Sequence, residues 1–274
     1  MMNATASEMA GSPTEMRRSN DRSAQSANPC PLARSTAPGS GVAFGDRLQT
    51  KLDNLLKQVL QSDVWRSVEA PQADPRYIRN LIKYVLLEVF SYGPHVTEAT
   101  FTAIGRFPKN RPDLMKPMVL HDIEEADHGE MALRDFVQLG GDELWARSRR
   151  ITPASFAMAA TVRLIAASEK PFAYLGYMYP FESLTPVFTA RIQQVLARKD
   201  FPSDSQHFID FHATEDIAHA KALRAFVERV VNAYPEAAEA IEYAFDCFAT
   251  VYPIPVWNAA REHAQMEVAG APIL

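Results

Sequence analysis

Two segments of the chain repeat one pattern of histidines and carboxylates. Residues 121–128 read H-x3-E-x2-H and residues 212–219 read H-x3-D-x2-H, so the two segments hold four of the seven histidines. Offsets of four and seven residues return to nearly the same side of an α-helix, which places each trio on one helix face. Imidazole and carboxylate ligands without thiolates suit iron or manganese, and zinc also accepts them. One trio could arise by chance, but two matching trios favour a metal site.

Apolar residues continue the face of each trio. Met118 and Phe136 lie on the face of the first trio, and Leu223 and Phe226 on that of the second. Because the apolar stripe of an amphipathic helix faces the core, the histidines and carboxylates are expected to be buried. Buried carboxylates and imidazoles are costly unless they are paired or bound to a metal. We therefore expect the two helices to face each other around cations.

Two further carboxylates stand alone in apolar surroundings. Glu88 lies between Leu87 and Val89, and Glu182 is the only charged residue in the aromatic run 171–182. We interpret both as metal ligands from two additional helices. Together with the acidic residues of the two trios they would carry four negative charges, which two divalent cations would neutralise. The aromatic run could line a substrate pocket, although such spacing is more often plain core.

The elements that must position these residues are helices. We predict an all-α bundle of seven or eight helices over residues 44–274, because helical periodicity begins at Phe44 and no strand pattern of useful length occurs. The predicted spans are 45–67, 75–92, a short helix to 107, 113–139, 152–169, 171–182, 185–198, 204–231 and 235–267, the last broken by Pro253 and Pro255. Residues 1–43 lack Phe, Trp and Tyr, and we interpret them as a disordered tail.

Composition narrows the classes of partner. The 274 residues carry a net charge of −5, which disfavours nucleic acid and anionic membrane surfaces as partners. Two cysteines, Cys30 and Cys247, cannot build a disulfide framework. No apolar run approaches the ~20 residues of a membrane span. Since no secretory signal is evident either, a cytoplasmic location is expected.

With these motifs, residues 50–265 resemble the heme-oxygenase-like di-iron oxidases and oxygenases, which share a helical fold with heme oxygenase and the TenA and PqqC proteins. The resemblance rests on Glu88, on Glu125 to His128 running into residues 136–140, on Gly176 leading to Glu182, and on 212–219. By that likeness two Fe(II) ions per chain, with manganese as the alternative metal, would be bound by Glu88, Glu125, His128, Glu182, His212, Asp216 and His219. Some relatives have Glu where this chain has His121, so the role of His121 stays open.

The resemblance also implies an activity. Such enzymes activate O2 and oxidise amino acids, fatty acids or amines by desaturation, C–C cleavage or N-oxygenation, often in specialised metabolism. A small-molecule substrate and O2 are thus the expected partners, and because relatives are often dimers we consider a homodimer. Arg106, Arg163 and Arg191 are candidates for substrate recognition, and Arg163 interrupts an apolar helix.

Two other classes of function remain in view. His95, His121-Asp122 and Asp216 could form the set of an HD-type metal-dependent phosphohydrolase, but that reading leaves most of the two trios without a role. A metal-free TenA-like hydrolase or binding protein would share the fold. A TenA-like hydrolase needs a nucleophilic cysteine in the pocket, and Cys247, in an apolar late helix, is more simply explained as a core residue.

Overall fold

A computed structural model describes residues 41–198, 201 and 205–273, and these residues form helices and no strand. The helices are α1 Gly41–Gln61, α2 Asp63–Glu69, α3 Pro75–Arg106, α4 Pro112–Glu125, α5 His128–Gln138, α6 Glu143–Ser148, α7 Pro153–Ala166, α8 Tyr174–Arg198, α9 His207–Ala233, α10 Ala237–Val251 and α11 Ile254–Val268. The all-α class is confirmed, with more helices than the seven or eight predicted. None of these helices is long and apolar enough to cross a membrane.

The ends of the predicted domain differ slightly from the structure. Helix α1 begins at Gly41, so residues 41–43, which were assigned to the tail, are helical. Residues 1–40 lie outside the described residues, as does Cys30. At the other end, the predicted break near Pro253 is observed, because α10 ends at Val251 and α11 begins at Ile254.

Local capping explains where several helices begin and end. The Asp74 side chain accepts a hydrogen bond from the Arg76 backbone N–H at 2.8 Å, and Pro75 occupies the first helical position of α3. Helix α7 begins in the same way, with Thr152 as its N-cap. Helix α5 ends before Gly140, whose φ of 88° lies in the left-handed region that favours glycine.

Two predicted helix ends, at residues 92 and 182, are not observed. Helix α3 continues through Gly93-Pro94 to Arg106, and α8 is one helix that contains Pro180 and Pro186. A proline inside a helix removes one backbone hydrogen bond and costs about 3 kcal/mol. Both helices bury apolar side chains on either side of the prolines, and this packing offsets the cost.

At the first trio the structure has a helix break that was not predicted. Residues 113–139 were predicted as one helix, but α4 ends at Glu125 and α5 begins at His128, with a two-residue turn between them. The first trio therefore spans a helix junction: Glu125 is the last residue of one helix and His128 the first of the next.

Close packing sets the position of the helices that carry the acidic and histidine residues. Helix α8 packs along α9 and α10, and α3 packs against α5, α7 and α11. At Gly176 the α8 backbone is so near α10 that a Cβ atom would lie 2.0 Å from the carbonyl oxygen of Ile241. Helices α3 and α11 are joined by Glu267, which accepts hydrogen bonds from Lys83 Nζ at 2.6 Å and from the Tyr84 hydroxyl at 2.7 Å.

Candidate metal centre

Within the part of the chain that the structure describes, potential metal-ligand atoms converge in two groups where α4, α5, α8 and α9 meet. The members of each group offer one nitrogen or oxygen atom apiece, and these atoms lie within 4.8 Å of one another. The first group is His121, Glu125, Glu182 and His219, and the second is Glu125, His128 and His212. Because Glu125 belongs to both groups, its two oxygens are placed to serve two neighbouring cations.

The second group is the more deeply buried. His128 Nδ1 lies 2.6 Å from Glu125 Oε2 and 3.2 Å from His212 Nε2. The other ring nitrogen of His212, Nδ1, lies 2.7 Å from the Phe208 carbonyl oxygen, which accepts a hydrogen bond when Nδ1 carries the proton. In that tautomer the Nε2 lone pair is free to bind a metal, as is common for histidine ligands.

The first group is built around carboxylates from α4 and α8. His121 Nε2 lies 3.4 Å from Glu182 Oε1, and His219 Nδ1 lies 3.9 Å from Glu125 Oε1. Asp216, one helical turn before His219, is buried and places Oδ1 3.6 Å from His219 Nδ1. The two trios thus meet as the sequence predicts, and His121, whose role was open, lies among them.

Several of these buried atoms have no hydrogen-bond partner among the described residues. They are Glu125 Oε1, Asp216 Oδ1 and His219 Nδ1. An unpaired buried polar atom is costly, and three such atoms near one another are satisfied together by a cation. The residues present therefore fit a metal on chemical and geometric grounds.

The electrostatics of the histidines point the same way. Burial lowers the pKa of His121, but the carboxylates of Glu182 and Glu125 raise it to about 9. Burial also lowers the pKa of His128, but the Glu125 carboxylate raises it by more, so the net shift is upward. The Asp216 carboxylate raises the pKa of His219. Without a metal, a proton on His121 balances part of the carboxylate charge. A metal ion would take over that role and displace the proton.

Glu88 is not brought to the metal groups. It is fully buried, as expected for a charge in an apolar stretch, but both of its oxygens have other partners. Oε2 accepts hydrogen bonds from the hydroxyls of Thr152 and Ser155, each at 2.6 Å, and Oε1 lies 3.4 Å from the Arg149 guanidinium. The structure corrects the assignment: Glu88 joins α3 to the start of α7, because polar partners from a distant segment satisfy its charge.

The residue sets of the other two functional classes are not assembled. His95 Nδ1 lies 2.8 Å from the Arg163 guanidinium, and neither His95 nor Asp122 belongs to either ligand group. Cys247 is half-buried and lines neither of the two cavities described below. Among the described residues, which exclude Cys30, the geometry therefore gives no support to the phosphohydrolase set or to a pocket cysteine.

Two cavities adjoin the candidate metal centre. The larger cavity has a volume of about 140 Å³. Four members of the ligand groups border it, together with Asp216. These residues are Glu125, His128, Glu182, His212 and Asp216. The smaller, of about 60 Å³, is bordered by His121, Glu125 and Glu182. Of the aromatic run, Phe181 borders both cavities, whereas Tyr174, Tyr177 and Met178 border only the smaller one.

Comparison with known proteins assigns the chain to a protein family. The family model described as "Iron-containing redox enzyme" matches residues 98–252, which is more than half of the chain. The chain belongs to this family. The matched residues include every member of both ligand groups and begin after Glu88, which lies outside them.

Individual relatives are distant. A 4-aminobenzoate synthase from Nitrosomonas europaea is 27% identical over 135 residues, which is 48% of this chain and 54% of that protein. The match thus spans about half the length of this curated relative.

Solved structures support the fold alone. A Shewanella denitrificans domain with a heme oxygenase-like fold aligns with a TM-score of 0.71 at 19% identity, covering 82% of this chain and 95% of its own. A TenA homologue from Pseudomonas syringae gives 0.60 at 14% identity, with coverages of 84% and 98%.

Proposed function

We propose that the protein is a non-heme di-iron enzyme that uses O2 to oxidise a small molecule. The observation that carries the proposal is the position of Glu125 in both ligand groups, with buried, unpaired atoms of Glu125, Asp216 and His219 around it. One carboxylate between two sets of nitrogen and oxygen ligands would suit two adjacent cations, as the inward-facing Glu and His residues do in di-iron helical bundles. Membership of an iron-containing redox family supports iron as the metal.

The protein's own residues would divide the work. His128 and His212 would hold one ion, and His121, Glu182 and His219 would surround the other, with Asp216 beside them. When bound, a pair of ferrous ions supplies the electrons and open coordination positions for O2 chemistry. The Phe208 carbonyl orients the His212 ring, and the apolar walls of the larger cavity keep water from the reacting oxygen.

The reaction belongs to the oxidase or oxygenase type: desaturation, C–C cleavage or N-oxygenation of an amino acid, fatty acid or amine. The name of the Nitrosomonas relative supports a biosynthetic role, because it refers to the formation of a small aromatic compound. Manganese is the alternative metal, since it accepts the same ligands.

Metal loading tests the proposal directly. Purified protein is incubated with Fe(II) without oxygen, desalted and assayed for iron, and we expect about two ions per chain. Exposure to O2 should then give a transient near-ultraviolet or visible absorption. Glu125→Gln, which alters the shared carboxylate, should reduce the iron content. A wild-type protein that retains no iron would refute the proposal.

A further inference from the structure

The walls of the larger cavity indicate what kind of molecule it admits. Apart from the acidic and histidine residues of the metal centre, the lining is almost entirely aliphatic and aromatic, and it contains no lysine or arginine. Two of the arginines that were candidates for substrate recognition are engaged elsewhere: Arg163 pairs with Glu98 and Arg191 with Glu69, all with exposed side chains. An anionic group would meet no lysine or arginine in this cavity, and the carboxylates of Glu125, Glu182 and Asp216 border it, so burying a further negative charge there is costly.

The few polar side chains outside the metal centre are also informative. The hydroxyls of Thr185 and Thr189 donate hydrogen bonds to carbonyl oxygens of their own helix, at 2.8 Å from Phe181 O and Thr185 O respectively. These threonines therefore have no hydroxyl hydrogen left for a bound molecule.

Trp65 is different. Its side chain borders the cavity and is 2% exposed, and its indole Nε1–H has no acceptor among the residues that the structure describes. The ring is held by Phe188 and Trp257, with centroid distances of 5.2 and 5.9 Å. A buried donor without an acceptor is costly, and an acceptor atom on a bound molecule would remove the cost. Trp65 lies on α2, which contributes nothing to the metal groups.

The size of the cavity limits the molecule further. A volume of about 140 Å³ is close to that of an engineered apolar protein cavity of ~150 Å³ that binds benzene. The cavity therefore suits one ring or an aliphatic group of similar size.

From these observations we infer that the substrate is a neutral, largely apolar molecule of about one ring, with a hydrogen-bond acceptor that binds Trp65 Nε1–H. The inference rests on the proposed function, because it concerns the substrate of that metal centre. Of the substrates proposed there, it keeps uncharged molecules and excludes free fatty acids and amino acids. Contact with Trp65 at one point and with the metal centre at another would fix which carbon or nitrogen of the molecule is oxidised.

Binding of three probes of nearly identical shape tests the inference. Acetophenone has a ring and a neutral acceptor, α-methylstyrene replaces the acceptor by a methylene group, and benzoate carries a negative charge. Each is titrated without oxygen into metal-free and Fe(II)-loaded protein, and the indole N–H signals of the three tryptophans are followed by NMR. Acetophenone should move the Trp65 signal further downfield than α-methylstyrene does.

Substitution of the donor gives the quantitative test. Trp65→Phe should weaken acetophenone binding about 3–10-fold more than α-methylstyrene binding, the range expected for one hydrogen bond. Comparing the two probes in each protein cancels the loss of ring contacts and the different solubilities of the probes. Trp145→Phe, which lies outside the cavity, should leave both affinities unchanged. Benzoate should bind metal-free protein at least ~10-fold more weakly than acetophenone.

Several outcomes would overturn the inference: equal effects of Trp65→Phe on the two neutral probes, equal binding of benzoate and acetophenone to metal-free protein, or no binding of any probe. The wild-type indole shift decides the matter if Trp65→Phe does not fold. Iron content is measured on the same samples. Normal iron uptake with failed probe binding would refute only the substrate class, whereas probe binding without iron uptake would refute only the di-iron proposal.

Discussion

The variant Glu88→Gln tests whether Glu88 is a metal ligand or a structural carboxylate. The substitution keeps the shape of the side chain and removes its charge. Glu88 is fully buried, and its partners are the hydroxyls of Thr152 and Ser155 and the buried guanidinium of Arg149. We therefore expect a large loss of stability and no loss of iron.

The contacts set the expected magnitude. Removing one member of a buried ion pair costs about 3–5 kcal/mol, because the other charge stays buried without compensation. The Arg149–Glu88 distance of 3.4 Å is long, and the amide oxygen of Gln can still accept one hydroxyl hydrogen bond, so we take the lower end, about 3 kcal/mol. For a chain of this size the melting temperature should fall by roughly 6–12 °C.

The assay combines calorimetry of the metal-free protein with iron analysis after anaerobic loading. Glu88→Gln should melt at a lower temperature and still bind about two irons per chain. Glu125→Gln is the matched control, since it makes the same chemical change within the ligand groups. It should lose iron and change the melting temperature less.

The opposite pattern would refute the reasoning. If Glu88→Gln kept its melting temperature and lost iron, Glu88 would be a metal ligand and not a structural carboxylate.

Three further expectations follow from single contacts. Gly176→Ala should lower the free energy of unfolding by about 3 kcal/mol or more, because its Cβ would collide with the backbone oxygen of Ile241. Gly105→Ala is the control and should not destabilise, since nothing lies within 4 Å of a Cβ at that position. Equal melting temperatures of the two variants would contradict this. His121 has a pKa of about 9 and must lose a proton to bind a metal. The number of protons released on iron binding at pH 7.5, measured by calorimetry in several buffers, should therefore fall by about one in His121→Asn. An unchanged number would exclude His121 as a ligand. Burial raises the pKa of Glu267, but hydrogen bonds from Lys83 and Tyr84 lower it by more, so the folded-state pKa lies below the ordinary value. The stabilisation by Glu267 is therefore present above pH ~4.3 and is lost on acidification. The difference in melting temperature between wild type and Glu267→Gln should shrink below that pH.

Much of the candidate site could be predicted because helical periodicity is a local property. The spacing within 212–219 places three polar side chains near one another on α9 whatever the rest of the chain does. The apolar residues that continue this face determine that it is buried. The all-α class follows from the same periodicity, and capping residues such as Asp74 and Thr152 mark where helices begin.

Other features depend on residues far apart in sequence. Glu88 looked like a ligand because its neighbours are apolar, and only folding brings Arg149 and Thr152 to its carboxylate. Pro94 looked like the end of a helix, and only the packing of α3 on both sides of it explains why the helix continues. Local pattern measures propensity, and tertiary contacts of several kcal/mol override it.

Local sequence pattern was enough to predict the helical class, the histidine and carboxylate face of α9, and the burial of Glu88 and Glu182, whereas the first trio spans a helix junction that it did not predict. The tertiary structure alone decided that Glu125 is shared by two ligand groups, that His121 joins them while Glu88 does not, and that an unpaired Trp65 donor borders the cavity beside them. The physical reason is that side-chain direction along a helix is fixed by its 3.6-residue period, whereas the partner that a buried charge or donor meets is fixed by how the helices pack.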